Sequence, residues 1–86
     1  METRVALISI LVTSNAGTAN DSVSTINDLL HEYGSYIIGR MGIPYHAKNV
    51  SIISVALDAP QDAISALSGK LGRLQGVSVK TTYTNC

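Results

Sequence analysis

The order in which two hydrophobic periodicities follow one another is the feature that most restricts how this chain can fold. Four segments are continuously apolar or alternate with period two, which is typical of strands. These predicted strands are residues 4–13, 35–44, 50–58 and 77–84. The first is rich in β-branched side chains, and the fourth places Val77 and Val79 on one face with Lys80 on the other.

Two segments between these strands carry apolar residues at helical spacing. Residues 21–33 predict a helix, with Asn20 as its expected N-terminal cap. A second helix is predicted to start with Pro60 in its first turn and to end at Gly76. The expected core positions are Val23, Ile26, Leu29, Leu30 and Tyr33 in the first helix, and Ala63, Ile64, Leu67, Leu71 and Leu74 in the second.

The resulting order, β-α-β-β-α-β, predicts a single α+β domain over residues 1–86 with a ferredoxin-like fold. Its four strands form one antiparallel sheet, and right-handed crossovers place both helices on the same sheet face. The opposite face is then bare in an isolated chain. We expect residues 35–44 to form an edge strand.

The first and third strands are apolar on both of their faces. In the first strand, Leu7 and Leu11 alternate with Ile8 and Ile10. A sheet face in contact with water normally carries polar residues at alternate positions. We therefore expect the helix-free face to be covered by another subunit in a homo-oligomer, either a dimer or a tetramer. The alternative is that these strands are simply apolar because they are central.

The second helix also carries a stripe of small residues beside its apolar positions. The stripe contains Ser65, Ser68, Gly69 and Gly72. Two glycines weaken a helix interior, so the stripe indicates either a close approach by another backbone or a helix that ends early, near Gly69.

Composition narrows the range of partners. The chain has 86 residues with six basic and six acidic side chains, so it has no excess of positive charge for direct binding to nucleic acid. Its one cysteine, Cys86, excludes an intrachain disulfide. Residues 5–12 are apolar but too few to span a bilayer, so we interpret them as a strand. We expect a cytoplasmic protein that does not bind membranes.

No arrangement of residues predicts catalysis or metal binding. The two histidines, His31 and His46, fall in a helix polar face and in a turn, and neither lies at zinc-ligand spacing from Cys86. The acidic residues belong to helix polar faces, caps or the terminus, without a nearby nucleophile. We expect no enzyme activity, no catalytic residues, no metal and no cofactor.

The loop TSNAGTAND after the first strand is the best candidate for binding a ligand. It leads into a helix N-terminus, where free backbone N–H groups favour an anion or a carboxylate. Gly17 permits close approach of a ligand to the backbone. The predicted ligand-binding residues in this loop are Ser14, Asn15, Gly17, Thr18 and Asn20. The alternative is an ordinary turn that caps the helix.

Arg40 is the sixth predicted ligand-binding residue. It lies within the apolar stretch YIIGRMGIPYH, between Gly39 and Gly42. Uninterrupted period two places Arg40 on one strand face with Ile38, away from Met41. At an edge strand this charge discourages unwanted pairing. It could also meet a partner's carboxylate, or hold a ligand across a subunit boundary.

Four strings together resemble a family of small proteins assigned as regulators of the iron-only hydrogenase system. They are RVALISILV, INDLLHEYGSYIIGRMGIPY, VSIISVALDAP and AISALSGKLGRLQGVSVKT, and they cover nearly the whole chain. The resemblance implies an ACT-like ferredoxin fold, similar to the C-terminal domain of the nickel-responsive repressor. The repressor's ligand histidines have no counterpart in the second and third strands, so nickel binding is not implied.

The same resemblance implies an oligomer with a regulatory role. ACT domains often bind small ligands, commonly amino acids, at subunit interfaces near the first strand–helix loop, which matches residues 14–20 here. We therefore expect a regulator of transcription or maturation in an iron-only hydrogenase system that senses a small ligand or a partner protein. The alternative is a structural protein–protein interaction module without a ligand.

Overall fold

The computed structural model describes residues 2–13 and 19–84, and of residues 19–21 it describes the backbone alone. The elements are β1 (Arg4–Thr13), α1 (Ala19–Glu32), β2 (Ile37–Tyr45), β3 (Val50–Ala59), α2 (Gln61–Gly72) and β4 (Val77–Tyr83). Short 3₁₀ turns, Gly34–Tyr36 and His46–Lys48, flank β2. The predicted β-α-β-β-α-β order is confirmed.

The four strands form one antiparallel sheet in the order β2-β3-β1-β4. The central pair, β1 and β3, is in register from Arg4 opposite Ala59 to Thr13 opposite Val50. This is the strand order of a ferredoxin-like sandwich, and it confirms that β2 lies at an edge. None of the helices in the described part of the chain is long and apolar enough to cross a membrane.

The hydrophobic core lies between the helices and one face of the sheet. Its strand residues are Ala6, Ile8, Ile10, Val12, Ile53, Val55, Leu57 and Ala59, and its helix residues are Ile26, Leu30, Ile64, Leu67 and Leu71. The even-numbered residues of β1 therefore face the helices. The apolar stripes predicted for both helices supply all of the buried apolar helix residues, and the buried polar residue Ser22 lies outside them.

Three predicted helix boundaries were wrong in detail. α1 begins at Ala19, so Asn20 lies inside its first turn instead of capping it. Pro60 is the residue before α2, where its carbonyl accepts the N–H groups of Ala63 and Ile64 at 3.0 and 3.2 Å. α2 runs through Gly69 and ends at Gly72, which excludes an end near Gly69.

Gly76 belongs to the turn into β4 instead of ending α2. Its φ is +75°, a left-handed conformation that glycine adopts without the penalty of a side chain. A Cβ at this position would lie 3.0 Å from the carbonyl oxygen of Thr13. The backbone N–H of Thr13 donates to the carbonyl of Gly76 at 2.8 Å. Gly76 thereby joins the end of β1 to the start of β4.

A bulge in β2 changes which side chains face the helices. Ile37 pairs with Leu57, and Gly39 pairs with the preceding residue, Ala56, so Ile38 is an extra residue without a partner. After the bulge, Arg40 lies opposite the buried Val55. Uninterrupted period two, on which the predicted face of Arg40 rested, therefore fails at Ile38: Arg40 lies on the same side as Ile37, and its predicted position away from Met41 is confirmed. Arg40 is on the helix side.

Candidate functional site

The sheet face that carries no helices is largely apolar. We call it the helix-free face, and strand register defines its members. They are Val5, Leu7, Ser9, Leu11 and Thr13 of β1; Val50, Ile52, Ser54, Ala56 and Asp58 of β3; Gly39, Met41, Ile43 and Tyr45 of β2; and Ser78, Lys80 and Thr82 of β4. Six of its large apolar side chains are between 41% and 53% exposed. These six are Val5, Leu7, Leu11, Met41, Ile43 and Tyr45.

The charge on this face is small and balanced. Its members include one basic residue, Lys80 on the edge strand β4, and one acidic residue, Asp58 near the end of β3. Lys80 shares a row across the sheet with Ser9 and Ser54, so the polar side chains cross the middle of the face. A surface of this kind matches another neutral, apolar surface better than it matches nucleic acid.

Leu7 stands between two shallow depressions. One, of about 290 Å³, is lined by Leu7, Gly39, Arg40, Met41, Ser54 and Ala56. The other, of about 200 Å³, is lined by Val5, Ala6, Leu7, Ala56, Thr82, Tyr83 and Thr84. The small residues Gly39 and Ala56 lie in the same row as Leu7, and the depressions form because these residues are so much smaller than leucine. The face therefore offers a large side chain beside hollows that another side chain could fill.

A second surface lies on the helix side, between α1 and the edge strand β2. This groove, which we call the α1–β2 groove, has a volume of about 230 Å³. It is lined by Val23, Asn27, Arg40, Gly42, Ile43, Pro44, Ser51 and Ile53. Half of these residues are aliphatic or proline, and the polar ones include a guanidinium, a carboxamide and a hydroxyl. No acidic side chain lines it.

Arg40 is positioned at this groove by the bulge in β2 and by α1. Its Nη2 donates a hydrogen bond of 2.8 Å to Oδ1 of Asn27. The salt bridge found in the described part of the chain joins Lys70 to Glu32, so Arg40 has no carboxylate partner there. The guanidinium is held in place by a neutral group and retains N–H donors for another acceptor.

The predicted loop site is only partly covered by the structure. Ser14, Asn15, Gly17 and Thr18 lie outside the described residues. Asn20 is in the first turn of α1, seven residues before Asn27, which corresponds to about 10 Å along the helix. The prediction that the loop and Arg40 contact a ligand stays a prediction.

The groove residues Asn27, Gly42 and Ser51 were not predicted from the sequence. Asn27 lies four residues after Val23, so helical spacing already puts it beside the apolar stripe of α1. The position of Gly42 over the same groove depends on the bulge, which no residue pattern indicated.

Two polar clusters tie secondary structure elements together. Arg4 donates to Gln61 at 2.8 Å and lies over the ring of Tyr83, which connects β1 with α2 and β4. Lys70 of α2 donates to the hydroxyl of Tyr33 at 3.1 Å and lies 3.9 Å from Glu32. The hydrogen bond with Tyr33 raises the pKa of Lys70, with smaller contributions from the charges of Tyr33 and Glu32.

The remaining polar side chains of interest are a serine of the small-residue stripe and the potential metal ligands. Ser68 shares a hydrogen bond of 2.7 Å with Thr81, so this member of the small-residue stripe packs against β4. Within residues 2–13 and 22–84, no group of three or more histidine, cysteine, aspartate or glutamate side chains is placed to hold a metal ion. His31 and His46 are both exposed.

A family profile matches almost the whole chain. The profile is TM1266-like, described as "Iron-only hydrogenase system regulator, putative", and it matches residues 4–81. Among solved structures, TM1266 from Thermotoga maritima is 36% identical, with a TM-score of 0.89 over 98% of this chain and 100% of that one. No curated protein sequence matches the chain.

More distant structures share the fold. The ACT domain of GTP pyrophosphokinase from Chlorobium tepidum is 17% identical, with a TM-score of 0.74 over 93% of this chain and 99% of that one. A formyltetrahydrofolate deformylase from Pseudomonas putida is 18% identical, with a TM-score of 0.62 over 95% of this chain and 29% of that one. At these identities the likeness concerns the fold, which is ACT-like.

Proposed function

The chain belongs to the TM1266-like family of iron-only hydrogenase system regulators, and we propose that it works as a self-associating regulatory domain and not as an enzyme. Two copies associate through their helix-free faces in the cytoplasm. The assembly senses a small ligand or a partner protein, and it modulates transcription or maturation of a hydrogenase system.

The exposed apolar side chains of the helix-free face are the observation that carries this proposal. Full burial of one such side chain contributes about 1.5–3 kcal/mol. Six of them remain roughly half exposed, three on β1 to either side of Ser9 and three at alternate positions of β2. Contiguous apolar patches of this kind are uncommon on monomers and mark interaction sites.

The size of the face suits a second copy of the chain. Four strands spaced about 4.8 Å apart, with about nine residues each at 3.3 Å, give a footprint of about 19 by 30 Å, or about 570 Å². Because side chains project from the sheet, the solvent-accessible area of the face is larger than this flat footprint. A stable interface of standard size buries about 800 Å² from each partner. The footprint is therefore close to the lower limit of about 600 Å² per partner for a stable interface.

Shape and charge also favour a second copy as the partner. In a twofold interface the same patch meets itself, so it must be complementary to itself. Leu7 projects beside hollows formed at Gly39 and Ala56, as a self-complementary surface requires. Lys80 and Asp58 have opposite signs, so the face has no net charge to oppose its own copy.

Regulation of transcription would require another protein. The chain has six basic and six acidic residues, without the positive excess that phosphate binding requires. We therefore propose that the domain acts on a DNA-binding protein or on a maturation factor, which recognises the assembled or ligand-bound form.

A thermal-shift screen tests ligand sensing separately from association. A ligand present at 100 times its dissociation constant stabilises the folded state by about 2.7 kcal/mol. Screening amino acids, nucleotides, short carboxylic acids and divalent metals should therefore raise the melting temperature for at least one class. If all classes leave it unchanged while the chain still self-associates, the domain is a structural interaction module.

A further inference from the structure

We infer that the α1–β2 groove binds a small aliphatic carboxylate, with Arg40 as the anion-binding group. The groove opens on the helix side of the sheet at the β2 edge, where Arg40 and Ile43 also border the helix-free face proposed for association. The inference rests on the proposed regulatory function in that it names the class of ligand to which the domain responds.

The electrostatics of the groove select an anion. Arg40 carries a guanidinium cation, and one of its N–H groups donates to Asn27. No carboxylate of the described residues neutralises it, and no acidic side chain lines the groove. The planar guanidinium matches a carboxylate, to which it can donate two parallel hydrogen bonds. Asn27 keeps the guanidinium at the mouth of the groove.

The remaining lining selects an apolar chain attached to that anion. Val23, Pro44 and Ile53 provide aliphatic surface on the helix side. Over Gly42 there is open space, because a Cβ built there would meet no atom within 4 Å. The volume of about 230 Å³ is below the range of about 300–1,000 Å³ typical of drug-sized ligands. A short aliphatic chain fits these limits.

A phosphate ester fits the groove less well. Its second negative charge would lie against aliphatic side chains, and burial of a charge without a partner is unfavourable. One guanidinium matches the single charge of a carboxylate. The hydroxyl of Ser51 and the carboxamide of Asn27 remain available for one polar substituent on the chain.

An NMR titration with sodium butyrate and sodium hexanoate tests this inference. We expect the acids to shift the Asn27 side-chain amide and the Gly42 backbone amide, with hexanoate binding more tightly. Hexanamide, the neutral analogue of hexanoate, should shift them far less. Arg40 is exposed and an exposed ion pair contributes up to about 1 kcal/mol, so Arg40→Gln should weaken hexanoate binding by up to about 5-fold.

Two further variants keep the test decisive. Arg73→Gln removes the same charge at the end of α2, outside the groove, and should leave hexanoate binding unchanged. Gly42→Val places a branched side chain in the groove, where a Cβ has no atom within 4 Å, and should abolish binding while the protein stays folded. The inference is overturned if hexanoate causes no shifts at the groove, or if Arg40→Gln and Arg73→Gln bind hexanoate equally well.

Light scattering on the same samples separates this inference from the proposed assembly. Self-association without hexanoate binding would remove the carboxylate site and leave the proposed assembly standing. Hexanoate binding by a monomer that does not associate would support the site and contradict the assembly.

Discussion

Replacing Leu7 by threonine should weaken self-association without unfolding the chain. Leu7 lies on the central strand β1, in the row next to the polar middle row of the helix-free face, and is 45% exposed, so it contributes little to the core beneath β1. Threonine is β-branched and therefore suits a strand. The substitution removes most of the apolar surface that a second copy would cover.

The size of the effect follows from the surface still exposed in one copy. Complete burial of a leucine contributes about 1.5–3 kcal/mol. The exposed 45% of Leu7 therefore accounts for about 0.7–1.4 kcal/mol in each copy, or about 1.4–2.7 kcal/mol in a twofold dimer. This corresponds to an increase of about 10- to 100-fold in the dimer dissociation constant, the upper end being a limit because threonine retains one methyl group.

Sedimentation velocity over a dilution series measures that constant. The matched control is Ile38→Thr, which removes an aliphatic side chain that is 64% exposed in the β2 bulge, outside the paired rows of the helix-free face. We expect the control to associate like the parent chain. If Ile38→Thr weakens association and Leu7→Thr does not, the interface lies at the β2 edge and the face-to-face assembly is refuted.

Four further substitutions test the fold and its polar contacts. Ile10→Ala should lower the free energy of unfolding by about 2–5 kcal/mol in urea, since Ile10 is fully buried. Gly76→Ala should cost about 1–3 kcal/mol by the same assay, because φ is positive and the Thr13 carbonyl is close. Gly69→Ala should raise the free energy of unfolding by about 1 kcal/mol. A loss of self-association in this variant would instead indicate that the backbone of a second copy packs against Gly69. Tyr33→Phe should lower the pKa of Lys70 towards 10.5 in an NMR titration.

The sign of the Lys70 effect determines its pH window. Its pKa is raised above the ordinary value of 10.5 in the folded chain, so the protonated form is favoured by folding. The stabilisation is complete below 10.5 and is lost as the pH rises through the higher folded value. An unchanged Lys70 pKa in Tyr33→Phe would contradict the assignment of the hydrogen bond as its main cause.

Element order and core composition were predictable because they depend on residue periodicity. Period two in β1 separated Ile8 and Ile10 from Leu7 and Leu11, and only the structure shows that the isoleucines are the buried set. Helical spacing likewise identified the buried residues of α1 and α2. Burial of apolar surface dominates folding, so patterns of apolar residues carry most of the information about the fold.

The details that were mispredicted depend on backbone geometry. One extra residue at Ile38 reverses the faces of β2, and glycine and isoleucine give no local signal for such a bulge. Gly76 suits either a helix end or a tight turn, and the choice follows from its approach to Thr13, a contact between distant parts of the chain.

The sequence identified one residue of the candidate site, Arg40, but did not identify the residues that surround it. Arg40 was identified from its isolation in an apolar stretch, but its environment depends on the bulge and on Asn27, thirteen residues away in α1. Gly42 acquires its position over the groove through the same shift of register. Residues that converge from separate elements need the tertiary structure to be recognised as neighbours.

The mass of the unmodified chain in solution tests the central claim most directly. One chain has a mass of 9.1 kDa, so a dimer has twice that mass, 18.2 kDa. Size-exclusion chromatography with light scattering at micromolar concentration should give the dimer mass or a multiple of it. A single species of 9.1 kDa would contradict assembly through the helix-free face.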